Sequence, residues 1–183
     1  MLEISMGAFT FLLNVLAGIS FTSSIAATED RHEMHENLYC LALNSYWEAR
    51  GEKVDAKLAT AQVVMNRVDN EAYPNDACSV NTQGPERESW KTRQIPDLEP
   101  EQRVYYPVRN KCQFSWYCDG KSDSVSNMDG WEDSILAAYL VYSGLGEDKV
   151  NGATHYYAHK QVTPSWSTSM TVTVKLGGHT YLK

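Results

Sequence analysis

One acidic residue, Glu48, stands out because its place in a helical pattern suits acid catalysis. Several residues before it recur at helical spacing and form one inward-facing stripe: Leu38, Leu41, Ala42, Ser45 and Ala49. Glu48 lies seven residues after Leu41, about two turns on, so it falls on the same stripe. Burial raises the pKa of a carboxyl group, and a carboxyl group that is neutral near neutral pH can act as a general acid.

The same stretch predicts where this helix begins and ends. We expect it to begin near His35 and to end at Gly51, which offers the left-handed conformation of a helix terminus. Glu48 then lies on the last turn, at the mouth of a core. A purely structural alternative is a buried glutamate paired with Arg50, Arg67 or another cation.

A second group of candidate residues lies in segment 111–120, between two cysteines and ahead of a turn at Asp119 and Gly120. These candidates are Gln113, Phe114, Ser115 and Trp116. Aromatic rings stack on sugar faces, and amide and hydroxyl groups supply directional hydrogen bonds of the kind a glycan cleft needs. On pattern alone, a short buried strand with aromatic core residues is the stronger interpretation.

Three histidines near the C-terminus have to be weighed as metal ligands. His155 and His159 are four residues apart, and His179 is a conceivable third ligand. However, the segment between His155 and His159 lacks the glutamate of a zinc-protease helix, and its surroundings favour extended structure. We therefore expect no metal ion and no cofactor, and instead a histidine that is hydrogen-bonded in a cleft wall.

The elements that must position these residues follow from periodicity and turn signals. A second helix is predicted over residues 54–68, and Asn66 and Arg67 near its end either point back towards Glu48 or cap the helix. A third helix is predicted to open with Asp129 as N-cap and Glu132 three residues later, as in a capping box. The tail from residue 154 indicates short strands, with a hairpin turn at residues 177–178.

Length and composition place these elements in one ordinary globular domain. The chain has 183 residues, of which 43% are hydrophobic and 21% charged. About 150 residues remain once a targeting segment is removed, which is enough for a proper core. The net charge of −7 and the lack of a basic stripe exclude nucleic acid as a partner.

Residues 1–27 are predicted to be a signal peptide that directs export, and residues 28–183 to be the functional domain. Residues 6–21 are almost entirely apolar, and Ser24 and Ala26 are small residues at the positions that a signal peptidase reads. The missing positive charge at the start and Asn14 within the apolar run count against a signal peptide. A membrane anchor is the alternative, and this segment would then be the only contact with the membrane.

Four cysteines fit an exported protein with two disulfides: Cys40, Cys78, Cys112 and Cys118. We expect one bridge among the last three, which border loops, and a plain buried thiol at Cys40. The sequence does not decide the pairing.

A long polar segment from residue 82 to about residue 104 contains three prolines. A connection of this length in a compact domain is usually a functional lid or a mobile insertion. Trp90 within it is either an anchor onto the core or a platform for a sugar, and the anchor is favoured.

Several of these motifs together resemble the SleB/CwlJ-like cell-wall hydrolases, the catalytic domains of spore-cortex lytic enzymes and related bacterial and phage proteins. The matching blocks are residues 46–52, 64–68, 112–116, 155–157, 164–166 and 178–181. They occur in the family order and span residues 38–181, which makes the match specific. The segment 82–104 looks larger than the family's usual connection.

This resemblance implies a mainly helical α+β fold that is similar to lysozyme and lytic transglycosylases, with a small β or loop lobe. It implies cleavage of peptidoglycan glycan strands between N-acetylmuramic acid and N-acetylglucosamine, typically as a lytic transglycosylase, with a role such as phage endolysis or spore-cortex lysis. We expect the protein to be a monomer. Glu48 matches the catalytic acid of the family. The expected substrate-binding residues are Gln113, Phe114, Ser115, Trp116, His155, Tyr156, Trp166 and His179.

The number of carboxylates separates two forms of this activity. A lytic transglycosylase needs only Glu48, because the sugar's own 6-hydroxyl replaces water as the nucleophile. A hydrolase needs a second carboxylate, for which Glu52 and Asp119 are the candidates. The single-carboxylate form is favoured because the inward stripe includes only Glu48.

Two other classes of function remain as alternatives. A metal-dependent peptidoglycan amidase or peptidase would use His155, His159 or His179 to bind zinc. A non-catalytic glycan-binding module would use tryptophans as platforms and would keep its binding after Glu48→Gln. A desolvated acid is costly for a pure binder, which counts against the second class.

Overall fold

The structure is a computed structural model that describes residues 22–183, with side chains from residue 31 onward. Most of the predicted export segment, residues 1–21, lies outside the described residues. Within residues 22–183, no helix is both long enough and apolar enough to cross a membrane. The chain divides into two compact units, and the unit Asn37–Lys183 contains all the candidate residues.

The first helix, α1, spans Thr22–Glu48. The predicted start near His35 is therefore wrong. Residues 31–36 are all exposed, so this part of the helix has no apolar stripe for periodicity to detect. The predicted end is confirmed, because Gly51 has a φ of 78° just after the helix.

Helix α2 spans Val54–Val68, as predicted, and is the buried centre of the unit. Ser45 of α1 donates a hydrogen bond to the Lys57 carbonyl at 3.0 Å, which fixes the two helices to each other. Lys57 is itself buried, and its Nζ donates to Ser134 Oγ at 3.2 Å. That bond attaches α2 to helix α5, which spans Met128–Tyr142.

The start of α5 differs from the predicted capping box. Asn127 is the N-cap, and its Oδ1 accepts a hydrogen bond from the Gly130 N–H at 3.2 Å. Asp129 instead lies inside the first turn. Asparagine and aspartate both cap helices well, so the sequence alone did not separate the two positions.

Two disulfides fasten the loops around the helices. Cys40 of α1 is bonded to Cys78 of the short helix α3, which spans Ala77–Thr82. The expected free thiol at Cys40 is therefore wrong, since α3 folds back against α1. Cys112 is bonded to Cys118, which confirms one bridge among the three loop cysteines.

The long polar segment forms a small structure of its own, which we call the insertion (residues 83–108). Its strands β1 (Glu86–Glu88) and β2 (Tyr105–Pro107) pair antiparallel, and helix α4 (Trp90–Arg93) and a 3-10 turn (Pro100–Gln102) lie between them. Glu88 of β1 and Arg103 form an ion pair at 2.8 Å. Trp90 is 65% exposed, so its predicted role as an anchor is wrong.

The C-terminal residues form a three-stranded antiparallel sheet in the order β3-β5-β4. Its strands are β3 (His155–Ala158), β4 (Val172–Leu176) and β5 (His179–Leu182), and a 3-10 turn (Ser165–Ser169) precedes β4. The predicted hairpin is confirmed, because β4 and β5 meet at Gly177 and Gly178. The mainly helical α+β architecture with a small β lobe is thus confirmed.

Candidate active site

Glu48 is the last residue of α1 and faces a cavity of about 270 Å³, the Glu48 cavity. Its side chain is half-buried. The cavity is lined by Glu48, Arg67, Cys112, Gln113, Phe114, Ser115, Tyr156, Tyr157, Ala158, Gln161 and His179. These residues come from α1, from α2, from the Cys112–Cys118 loop, from β3 and the loop after it, and from β5.

The surroundings of Glu48 favour its neutral form. Burial raises the pKa of its carboxyl group from 4.5 to about 7, because the charged form loses hydration. The Tyr156 hydroxyl and the Arg67 guanidinium both favour the carboxylate and limit this rise. Glu48 is therefore balanced between its two protonation states near neutral pH, as a group that must both give and take a proton requires.

Arg67 is a buried cation in the wall of the cavity, with 2% of its surface exposed. Its Nε donates to the Thr154 carbonyl at 2.7 Å, and its guanidinium lies 5.2 Å from the centre of the Phe114 ring. Its Nη1 is buried and has no hydrogen-bond partner among the described residues. An anionic or carbonyl oxygen of a bound ligand would satisfy that donor.

Tyr156 of β3 brings a second polar group to Glu48. Burial raises the pKa of its hydroxyl well above the ordinary value, so the phenol is neutral. The hydroxyl is buried and unpaired among the described side chains. Asn44, one helical turn before Glu48, accepts a hydrogen bond from Trp116 Nε1 at 3.0 Å and keeps its own buried amide unpaired. The buried donors of Arg67, Tyr156 and Asn44 are thus all unpaired among the described residues.

A second cavity of about 430 Å³ adjoins the first. Gln113 and Tyr156 line both, and His155 and Trp166 line the second one. The rings of His155 and Trp166 lie 5.6 Å apart at an angle of 49°. Together the two cavities form a cleft with aromatic and polar walls, which is the type of surface that binds a chain of sugars.

Comparison with known proteins identifies the family. The family described as Cell Wall Hydrolase matches residues 51–182, nearly three quarters of the chain. The chain belongs to the Cell Wall Hydrolase family. The match begins after Glu48 and therefore does not include that residue. A search of curated proteins found no significant match.

Two solved structures share the fold of this cell wall hydrolase. The catalytic domain of SleB from Bacillus cereus is 23% identical, with a TM-score of 0.50, over 81% of this chain and 91% of that one. The catalytic domain of the germination-specific lytic transglycosylase SleB from Bacillus anthracis is 20% identical, with a TM-score of 0.52, over 80% and 93%. The predicted lytic-transglycosylase-like fold is thereby confirmed.

The structure separates two of the other predicted site residues of the hydrolase from the Glu48 cavity. Trp116 is buried with 9% exposure, and with Asp119 it lines a different cavity beside Trp47 and Arg50. Asp119 also accepts a hydrogen bond from the Lys121 N–H at 2.8 Å, so it shapes a turn.

Glu52, the other candidate for a second carboxylate, lies against the hairpin turn. A Cβ atom added to Gly178 would come within 2.9 Å of Glu52 Oε1. Burial lowers the pKa of His179, and the charge of Glu52 partly opposes that effect. Glu52 therefore lies against the turn between β4 and β5 and is not among the residues that line the Glu48 cavity.

Sequence reasoning gave no role to Tyr157, Ala158 and Gln161, which line the Glu48 cavity, or to Ser169 and Met170, which line the adjoining one. Tyr157 follows Tyr156 in the strand, where alternation would place it on the opposite face. Gln161 is in the loop after β3, and no periodic signal marks it. For the metal alternative, residues 31–183 contain no cluster of three or more histidine, cysteine or acidic side chains arranged to hold an ion.

Proposed function

We propose that this cell wall hydrolase cleaves the glycan strand of peptidoglycan between N-acetylmuramic acid and N-acetylglucosamine, as a lytic transglycosylase. One observation carries the proposal: Glu48, with a pKa of about 7, is the sole carboxylate among the described residues that line the cavity. The family and the likeness to a lytic transglycosylase from Bacillus anthracis support it.

The proposed reaction uses Glu48 twice. Neutral Glu48 donates its proton to the glycosidic oxygen while the bond from that oxygen to the muramic C1 breaks through an oxocarbenium-like state. The Glu48 carboxylate then takes the proton of the muramic 6-hydroxyl, whose oxygen bonds to C1 and closes a 1,6-anhydro ring. The donated proton stays on the leaving sugar as its new hydroxyl, the 6-hydroxyl proton makes Glu48 neutral again, and no water is consumed.

The cleft residues bind the strand in this scheme. Gln113 and Ser115 are exposed polar side chains at the rim of the cavity, where they can hydrogen-bond to hydroxyl and acetamido groups. Trp166 offers a ring face at the rim of the adjoining cavity. Arg67 and Tyr156 present their unpaired donors near Glu48, where oxygen atoms of the reacting sugar would lie.

The proposal also requires the protein to meet its substrate outside the cytoplasm. We propose that residues 1–27 direct export to the periplasm, cell wall or medium, and that the segment is either removed or kept as a tether. The unit Asn37–Lys183 holds all the residues of the site, so we propose that it acts as a monomer.

Mass spectrometry of digested peptidoglycan tests this function. We expect the wild type to release fragments that are lighter by one water at the muramic end, and Glu48→Gln to release none. Glu132→Gln makes the same chemical change at an exposed position on α5 and should retain activity. Reducing ends would instead indicate a hydrolase with a second carboxylate, and free stem peptides would indicate an amidase or peptidase. Either result, or an active Glu48→Gln, would contradict the proposal.

A further inference from the structure

The insertion presents aromatic side chains to solvent at a site apart from Glu48. Trp90 is 65% exposed and Tyr106 is 59% exposed. Both line a cavity of about 230 Å³ whose wall consists of Arg87, Glu88, Ser89, Trp90, Arg93, Tyr106 and Pro107. Large exposed rings that surround a depression are typical of a binding surface, since a folding core would have covered them.

The charge of this cavity is opposite to that of the whole protein. Arg87 lies directly across the strand pair from Tyr106, so both project from one face, and Arg93 adds a second guanidinium. Glu88, the single carboxylate in that wall, is already paired with Arg103 at 2.8 Å. The wall is therefore cationic on a protein with a net charge of −7.

The base of the insertion is attached to the wall of the Glu48 cavity. The Gln113 N–H donates to the Gln83 carbonyl at 2.8 Å. Gly84 packs so closely on Cys112 that an added Cβ would lie 3.0 Å from its Cα. Because Cys112 and Gln113 line the Glu48 cavity, the base of the insertion borders the wall of that cavity.

We propose that the cavity of the insertion binds a second portion of the peptidoglycan glycan strand, beyond the segment held at Glu48. Trp90 and Tyr106 stack on sugar faces, and Arg87 and Arg93 bind carboxylates of the stem peptides that the strand carries. The surface holds the polymer near the cleft between cleavage events. This proposal rests on the proposed function, because it takes its ligand from that function.

Sedimentation with insoluble peptidoglycan tests the site without any cleavage. The parent protein is full-length Glu48→Gln, and the probe is purified sacculi from which covalently attached polymers have been removed. We expect Trp90→Ala and Tyr106→Ala each to weaken binding roughly tenfold, as residues at the centre of an interface do. Trp90→Phe keeps a ring and should restore most of the affinity, which separates loss of stacking from loss of folding.

Tyr105→Ala is the matched control, because Tyr105 is the neighbouring residue, is 50% exposed and does not line the cavity. We expect it to bind like the parent. Equal binding by the Trp90→Ala variant and the parent, or an equal loss in Tyr105→Ala and Tyr106→Ala, would overturn the site. If the protein bound only to sacculi that still carry their covalently attached polymers, the assignment of the ligand to glycan would be overturned.

The two proposals fail in different ways. If the wild type releases no anhydro fragments while binding to sacculi still depends on Trp90 and Tyr106, the proposed reaction is wrong and the binding surface stands. If the wild type cleaves and the variants of the insertion bind like the parent, the surface is wrong and the reaction stands.

Discussion

The single carboxyl group of Glu48 must first donate a proton and later accept one, and its surroundings influence both steps. Desolvation favours the acid that donates a proton, while Arg67 and Tyr156 favour the carboxylate that later accepts one. A fully apolar site would keep the group protonated and prevent the second step. A fully exposed site would leave it ionised and prevent the first. The mixed environment explains why a single residue can serve both.

This balance predicts how activity depends on pH. Protonated Glu48 is the form that starts the reaction, so cleavage should fall as the pH rises through about 7. The Tyr156 hydroxyl lowers the pKa of Glu48, so Tyr156→Phe should raise that pKa and move the fall in activity to higher pH. Initial rates of peptidoglycan cleavage between pH 5 and 9 would measure both effects.

The control for this pH profile is Tyr139→Phe, which removes a hydroxyl from an exposed tyrosine of α5 and should leave the profile unchanged. A Tyr156→Phe profile that coincides with that of the wild type would show that Tyr156 does not act on the protonation of Glu48.

At the level of elements, the two disulfides differ in what they contribute, one mainly to stability and the other to the wall of the site. Cys40–Cys78 closes a separation of 38 residues and ties α3 to α1. Cys112–Cys118 closes only 6 residues, but Gln113 and Ser115 within that loop line the Glu48 cavity. Loop-closure entropy stabilises the fold more for the longer loop, by about 4 kcal/mol against about 2 kcal/mol.

Replacing each pair by serine should therefore separate stability from activity. Cys40→Ser with Cys78→Ser should cause the larger fall in the free energy of unfolding, measured by urea titration. Cys112→Ser with Cys118→Ser should cause the larger fall in kcat/KM on peptidoglycan at a temperature where both variants are folded. If the second variant keeps wild-type activity, the bridge does not position Gln113 and Ser115.

The elements also show which features the sequence could predict. The end of α1 at Gly51, the bounds of α2 and the hairpin at Gly177 follow from rules that act over a few residues. The bridge at Cys40 and the exposure of Trp90 depend on which distant segments fold against them, and no local pattern carries that information. Arg67 is an intermediate case: its helix was predicted, but the sequence left open whether its side chain points towards Glu48 or caps the helix.

At the scale of the whole molecule, the negative net charge opposes binding to peptidoglycan, and the insertion supplies a local attraction. Peptidoglycan carries the carboxylates of its stem peptides, and the protein has a net charge of −7, so the two repel each other at long range. At the cavity of the insertion, the cations Arg87 and Arg93 attract these carboxylates at short range. Salt weakens both effects, because the Debye length falls from about 10 Å at 0.1 M to about 3 Å at 1 M.

Whether added salt weakens or strengthens binding to sacculi should therefore depend on these two arginines. For the Glu48→Gln parent, in which local attraction dominates, added salt should weaken binding to sacculi. In the same background, Arg87→Gln with Arg93→Gln removes the attraction and leaves the repulsion, so added salt should strengthen binding.

Lys160→Gln with Lys175→Gln removes the same charge from two exposed positions and should behave like the parent. Sedimentation between 0.02 and 0.5 M salt would measure all three. If both double variants reverse the trend, total charge governs binding and the insertion has no special part in it.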